Sequence, residues 1–168
     1  MSERKVVTRQ PRATRMTTPG YGFDTGKSPP GERFPWSRVR ELLETARNYW
    51  ICTTRPDGRP HSAPVWAVWL DGILYFSAGD ESRKARNLAR NPEVTVHPEA
   101  DNEAVILEGT VEKITATSKL KPVWKTYKEK YDWDAESYSF FAVRPRLAYS
   151  FKEDLPETAT RWEFSDHV

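Results

Sequence analysis

The chemistry-bearing residues of this chain crowd into one stretch, Leu74-Tyr75-Phe76-Ser77-Ala78-Gly79-Asp80-Glu81-Ser82-Arg83-Lys84-Ala85-Arg86-Asn87-Leu88. An aromatic, apolar run suited to a strand passes through small residues into a short helix opened by Ser82. Helix N-termini carry unpaired N–H groups and partial positive charge, so an exposed cation there costs about 0.3–1 kcal/mol. Arg83 and Lys84 nevertheless fill the first turn. A bound phosphate would supply the missing negative charge, and Ser77, Ala78 and Gly79 would let it approach the backbone. Local compensation by Asp80 and Glu81, on a merely solvated helix, is the other explanation. Charge alone leaves both open, and the small residues tilt the balance toward an anion site.

A second element is Pro64-Val65-Trp66-Ala67-Val68-Trp69, whose tryptophans suit either the wall of a flat ring or plain core and interface packing. Other chemistries find little footing. The chain has no HExxH, CxxC, GxSxG or GxxxxGK[ST] run. His61, His97 and His167 are far apart with no neighbour at metal-ligand spacing, so no metal site is expected. Haem would need His61 or His97 as its axial ligand. The single cysteine, Cys52, sits in an apolar segment and reads as a packed thiol; it rules out an intrachain disulfide and fits a reducing compartment. Asp132 and Asp134 flank Trp133 and read as a solvated turn.

These residues need a scaffold, and the sequence outlines one. Ser37 opens a helix whose Val39, Leu42, Leu43 and Ala46 share a face. Tyr49 to Thr54 reads as a strand, Asp57-Gly58 as a turn, and Arg59 to Leu70 as a second strand with Pro64 at an edge or bulge. Asp71-Gly72 turns the chain into a third strand, Ile73 to Ser77, which predicts a three-stranded meander. The helix from Ser82 closes at Asn91-Pro92, and Val94 to His97 is a short strand. Ala104 to Ile114 is the longest strand candidate, with Gly109 marking a bulge or a close backbone approach. Ser118 opens a helix with Leu120, Val123, Trp124, Tyr127 and Tyr131 on one stripe and Pro122 in its first turn. Ser139 to Phe151 is a last long strand, and Arg161 to Phe164 a short one. Many strands, tight turns and few helices predict a barrel.

The 168 residues suffice for one domain with a core. Residues 1–35 hold five of the thirteen prolines and four of the eight glycines, which predicts an extended arm ahead of a domain over 36–168. Charge divides in a similar place. The net of +2 arises from about +6 over residues 1–40 against about −4 beyond them, a basic arm on an acidic body. With few interleaved aromatics the arm reads as solvated or lying across a partner subunit, and no nucleic acid is expected. Lack of an apolar span or signal predicts no membrane association and a cytoplasmic location.

Taken in order, Arg55-Pro56-Asp57-Gly58-Arg59-Pro60-His61, Pro64-Val65-Trp66, Tyr75-Phe76-Ser77, the run Ser82 to Pro92, Glu108-Gly109-Thr110-Val111-Glu112 and Thr160-Arg161-Trp162-Glu163-Phe164 resemble the pyridoxamine 5′-phosphate oxidase-like superfamily. The similarity is closer to its flavin/deazaflavin oxidoreductase branch, covers residues 36–164, and is most specific in Ser82-Arg83-Lys84-Ala85-Arg86-Asn87-Leu88-Ala89-Arg90-Asn91-Pro92.

The resemblance implies a mainly β (α+β) fold, a six-stranded antiparallel split β-barrel with peripheral helices. It implies a homodimer with a cofactor at the subunit interface. By the same resemblance Arg83 and Lys84 hold the cofactor phosphate, and Ser77 and Ala78 line its pocket. Pro64, Val65 and Trp66 lie along an isoalloxazine-like ring, Asn87 adds a polar contact, and Arg161 and Trp162 stand near the mouth. Pyridoxamine phosphate oxidases proper end in a basic substrate-binding motif, whereas this chain ends Arg161-Trp162-Glu163-Phe164-Ser165-Asp166-His167-Val168. The departure points to coenzyme F-420, a deazaflavin, with FMN as the alternative, and to reduction of a conjugated small molecule. Arg55, Arg59, Arg86 and Arg90 would meet the anionic tail of F-420 or remain solvated. A non-catalytic flavin or haem carrier is the competing function class.

Overall fold

Alternation of apolar and polar side chains decides which face of each strand turns inward. Along Tyr49–Thr54, the residues Tyr49, Ile51 and Thr53 are buried; Leu74 and Phe76, Val94 and Val96, and Val105, Leu107 and Val111 follow the same period. The computed structural model describes residues 10–16, 33–152 and 155–165. Its elements are β1 (Arg12–Arg15), α1 (Trp36–Thr45), β2 (Tyr49–Thr54), β3 (Pro60–Val65), β4 (Ala67–Leu70), β5 (Ile73–Ser77) and α2 (Arg83–Leu88). β6 (Glu93–Pro98), β7 (Glu103–Ile114), α3 (Thr117–Tyr131), β8 (Phe140–Lys152) and β9 (Leu155–Glu163) complete the chain.

All pairings are antiparallel, in the order β1-β9-β8-β7-β6-β2-β3, with β5 also on β8 and β4 on β5. The segment from Pro60 to Leu70 closes this path. Its first half, β3, pairs with β2, and its second half, β4, pairs with β5. Counted as one bent strand, 60–70 completes a ring of six with β2, β6, β7, β8 and β5. This is the mainly β split barrel anticipated above, with three helices around it among the described residues.

The bend corrects the three-stranded meander. β3 and β4 are not neighbours, and the chain forms two hairpins instead. Asp71 (φ 50°) and Gly72 (φ 79°) make the turn between β4 and β5, where both positive angles match the strand twist. The last strand is also longer than expected, and β1 from the arm pairs with it, Arg12 opposite Glu163 and Arg15 opposite Thr160. α1 starts at Trp36 after Pro35, with no side-chain cap from Ser37. Pro122 lies in the second turn of α3, not the first, because that helix begins at Thr117. At Gly109 the β7–β8 register shifts, and a Cβ there would collide with the Arg144 carbonyl oxygen. Only glycine fits so close a crossing.

Two cores result. Tyr49, Ile51, Leu74, Phe76, Val96, Leu107 and Val143 fill the barrel, covered by Val39, Leu42 and Leu43 of α1 and Ala85 and Leu88 of α2. Outside it, Leu120, Val123, Tyr127 and Tyr131 of α3 pack on Val68, Phe140 and Ala142. Each fully buried large apolar side chain contributes about 1.5–3 kcal/mol. Among the described residues no helix is long and apolar enough to cross a membrane.

Candidate functional site

α2 begins at Ser82, whose side-chain oxygen accepts from Ala85 N at 3.3 Å, and its first turn holds no acidic residue. Asp80, the nearest candidate to neutralise Arg83 and Lys84, is committed elsewhere. It accepts from Lys113 Nζ at 2.8 Å, and that bond, aided by one from Ser139, holds its carboxyl below the usual range. Among the described residues neither Arg83 nor Lys84 has a carboxylate within ion-pair distance.

Their field falls on β3. His61 is pushed below the ordinary histidine range, first by desolvation and then by the positive charges of Arg55, Lys84 and Arg83. Three cations, Arg55 after β2 and Arg83 and Lys84 of α2, thus act on His61 of β3. A hydrogen-bonded link ties α2 to His61 through β2: Asn87 Nδ2 donates to Thr53 Oγ1 at 3.0 Å, and Thr53 Oγ1 lies 3.3 Å from His61 Nδ1. Asn87 is only 1 % exposed, and its Oδ1 has no partner; Arg55 Nε is likewise buried without one. A polar atom left so in a dry setting costs about 1–3 kcal/mol unless a ligand or water answers it. Asn87, expected as a cofactor contact, anchors α2 to β2 through its Nδ2 and leaves its Oδ1 unanswered.

The residues expected along a ring gather at the bend. Ala67 pairs with Phe76, which sets Val65 and Trp66 beside Ser77 and Ala78. Val65 and Ala78 are buried, Pro64 is exposed, and Ser77 is half-buried. Trp66 is 37 % exposed. It stacks on Tyr131 (centroids 4.7 Å apart, planes at 4°), meets Trp133 edge-on at 5.9 Å, and has the Arg47 guanidinium 5.7 Å from its centroid. Among the described residues β3 pairs only with β2 and ends the sheet path, so its outer edge carries unpaired backbone groups.

Three side chains of α3 that sequence reasoning assigned to packing or passed over fix this bend. Tyr127 Oη donates to the Trp66 carbonyl. Tyr131 Oη accepts from Ala67 N at 2.9 Å and lies 2.8 Å from Ala67 O, and Lys130 Nζ donates to Ala67 O at 3.0 Å and to Tyr49 Oη at 2.9 Å. They serve the peptide groups that the ladder abandons where the strand changes partner. Their spacing, i, i+3 and i+4, was the available signal.

Arg161 and Trp162 stand apart from these groups. Ser77 pairs with Phe140 at one end of β8, whereas Trp162 pairs with Ala148, on the order of 25 Å further along the strand at ~3.3 Å per residue. Trp162 is 2 % exposed, donates to Ser150 Oγ at 2.8 Å and packs on Trp36. Arg161 pairs with Glu163. His97 lies on β6 opposite Trp50, toward the other end of the barrel from α2. Cys52 is half-buried, with Sγ 3.5 Å from Ser62 Oγ. Among the described residues no three His, Cys, Asp or Glu side chains come together as a metal site would require.

The arrangement suits binding more than acid–base work: a cationic cluster without counter-charge, a free strand edge, and an aromatic wall. Solved structures share the fold at low identity. A pyridoxamine 5′-phosphate oxidase-related, FMN binding protein from Nostoc punctiforme is 17% identical, with TM-score 0.58, covering 79% of this chain and 92% of its own. An F-420 reductase is 23% identical, with TM-score 0.54, covering 72% and 98%. A putative 5-nitroimidazole antibiotic resistance protein from Bacteroides thetaiotaomicron is 15% identical, with TM-score 0.63, covering 77% and 86%. No curated protein matches the sequence. Residues 36–152, from the start of α1 to the end of β8, match the family described as pyridoxamine 5′-phosphate oxidase, and the chain belongs to that family.

Proposed function

We propose that this chain is a cytoplasmic oxidoreductase that uses reduced coenzyme F-420 to reduce a conjugated small molecule, working as a homodimer with the cofactor between subunits. The observation that carries the reading is the pair Arg83 and Lys84 at the head of α2, deprived of Asp80 and facing Arg55 and His61. A cofactor phosphate is the counter-charge such a cluster lacks. The orphaned Asn87 Oδ1 and Arg55 Nε fit a site whose polar partners arrive with a ligand.

Arg83 and Lys84 bind the phosphate, Ser77 and Ala78 border it, and Pro64, Val65 and Trp66 line the ring through the free edge of β3. Asn87 holds α2 in place through Thr53. Arg86 and Arg90, both exposed, face the anionic tail; Arg59 is already paired with Asp57 at 2.7 Å. Arg161, distant from Trp66 in its own chain, reaches the ring from the second subunit, while Trp162, buried against Trp36 and Ser150, holds the strand that carries it. When bound, the reduced deazaflavin supplies the hydride. The protein's part is to align two flat systems and exclude water, which agrees with a site rich in aromatics and poor in acid–base pairs.

FMN in the same place is the second reading, favoured by the FMN-binding relative in the same fold. Titrating the protein with each cofactor separates the two. Tight F-420 binding weakened by Lys84→Ala supports the proposal; FMN binding with none of F-420 replaces it by the second reading. Affinity for both unaffected by Lys84→Ala rejects the phosphate assignment.

A further inference from the structure

We propose that Lys130 sets the charge of the ring site, favouring the reduced and negatively charged ring over the oxidised one. The inference rests on the reading that the ring lies along Val65 and Trp66.

Lys130 Nζ reaches the bend of strand 60–70 from behind, between Ala67 O and Tyr49 Oη, with the Tyr49 and Tyr131 rings 4.9 and 5.4 Å away. Hydrogen bonding alone does not call for a charge there. A glutamine amide would satisfy Ala67 O, and Tyr131 Oη already lies 2.8 Å from the same oxygen. Tyr49 needs no cation either, since its hydroxyl donates to Leu43 O at 2.6 Å. Even half-burying an ammonium without a carboxylate carries a desolvation cost. Glu44 is the acid that acts on it, from a distance and without a hydrogen bond, and among the described residues no carboxylate lies within ion-pair range. Burial lowers its pKa to about 8, which leaves it charged at pH 7.

Such a charge has a use one residue from Trp66. Uptake of a hydride brings two electrons and one proton to the ring and adds one negative charge. A fixed cation near the ring stabilises that added charge more than the oxidised state, and charges placed near a flavin-type ring are among the protein's means of tuning it. Lys130 acts through space and through the polarised Ala67 carbonyl; it is a positioning residue and not a catalytic one.

The test compares Lys130→Gln, which keeps a donor and loses the charge, with Lys130→Arg, which keeps the charge. FMN and coenzyme F-420 are each bound to the full chain, and the midpoint potential of the bound FMN is read by equilibration with a reference dye. In Lys130→Gln the affinity for oxidised FMN stays within about twofold. The preference for reduced over oxidised FMN falls about tenfold, a drop of about 30 mV for a two-electron couple. Lys130→Arg recovers most of it. A wild-type potential in Lys130→Gln overturns this inference and leaves the ring site standing. Failure of the wild-type chain to bind either cofactor overturns both. Should Lys130→Gln not fold, Lys130→Met carries the same comparison, with the same outcomes deciding it.

Discussion

Two helices touch the bent strand 60–70, and they do so in opposite ways. α2 brings Arg83 and Lys84 toward His61 with no acidic partner, on a short helix held by Ser82 and by the Asn87–Thr53 bond. α3 brings Tyr127, Lys130 and Tyr131 to the Trp66–Ala67 bend, where Trp66 O, Ala67 N and Ala67 O each find a partner. One contact leaves polar capacity unspent, and the other consumes it. At the bend the freed backbone groups are satisfied within the chain, whereas beside α2 Asn87 Oδ1 and Arg55 Nε are not. The α3 end is thus the frame of the barrel's split, and the α2 end carries the unpaired charge that the proposed function assigns to a ligand.

The largest expected effect lies on the framing side. Tyr127→Ala removes a fully buried ring and the donor to Trp66 O, and should lower stability by about 3–5 kcal/mol in urea unfolding. A loss below about 1 kcal/mol would mean that the bend holds without α3. On the receiving side, Lys84→Ala should weaken cofactor binding by about 1.5–3 kcal/mol while leaving unfolding within about 0.5 kcal/mol of wild type. An equal loss of stability would erase the distinction between the two helices.

Salt should separate them next. The cationic cluster is partly exposed, so cofactor affinity should fall as ionic strength rises, with little change in unfolding midpoint. Isothermal titration at two salt concentrations checks this. The smallest effect comes from pH. Lys130 titrates near 8 in the folded chain and near 10.5 unfolded, so between those values the unfolded state binds more protons. Its contribution to stability therefore rises with pH from about 8 upward. Tyr49, Tyr127 and Tyr131, raised by burial, oppose it above about 10, where unfolded tyrosines ionise first. Unfolding midpoints from pH 7 to 9.5 should show a shallow rise that Lys130→Gln abolishes; a flat wild-type profile would place the lysine in water.

How far the residues themselves reveal this follows the range of the forces involved. The cap at Ser82, the Asp71-Gly72 turn and the apolar stripe of α3 depend on neighbours a few positions away, and all are legible in order along the chain. The oddity of two cations opening a helix is legible too, and it is the sequence feature on which the proposed phosphate site rests. Its alternative explanation, local compensation by Asp80 and Glu81, reads equally well in the sequence because those charges are adjacent to Arg83 and Lys84 along the chain. Asp80 instead bonds Lys113, 33 positions away.

Local propensity and periodicity therefore dictated the elements, their turns and the residue types at the head of α2, because backbone preferences and side-chain alternation act over a few residues. Tertiary structure alone decided three things: that strand 60–70 changes partner at Trp66, that Lys84 acts on His61, and that Lys130 lodges behind Ala67. Each depends on register between segments distant in sequence. A one-residue slip in any pairing would turn the same side chains to the other face of the sheet, and nothing in the local sequence reports that alignment.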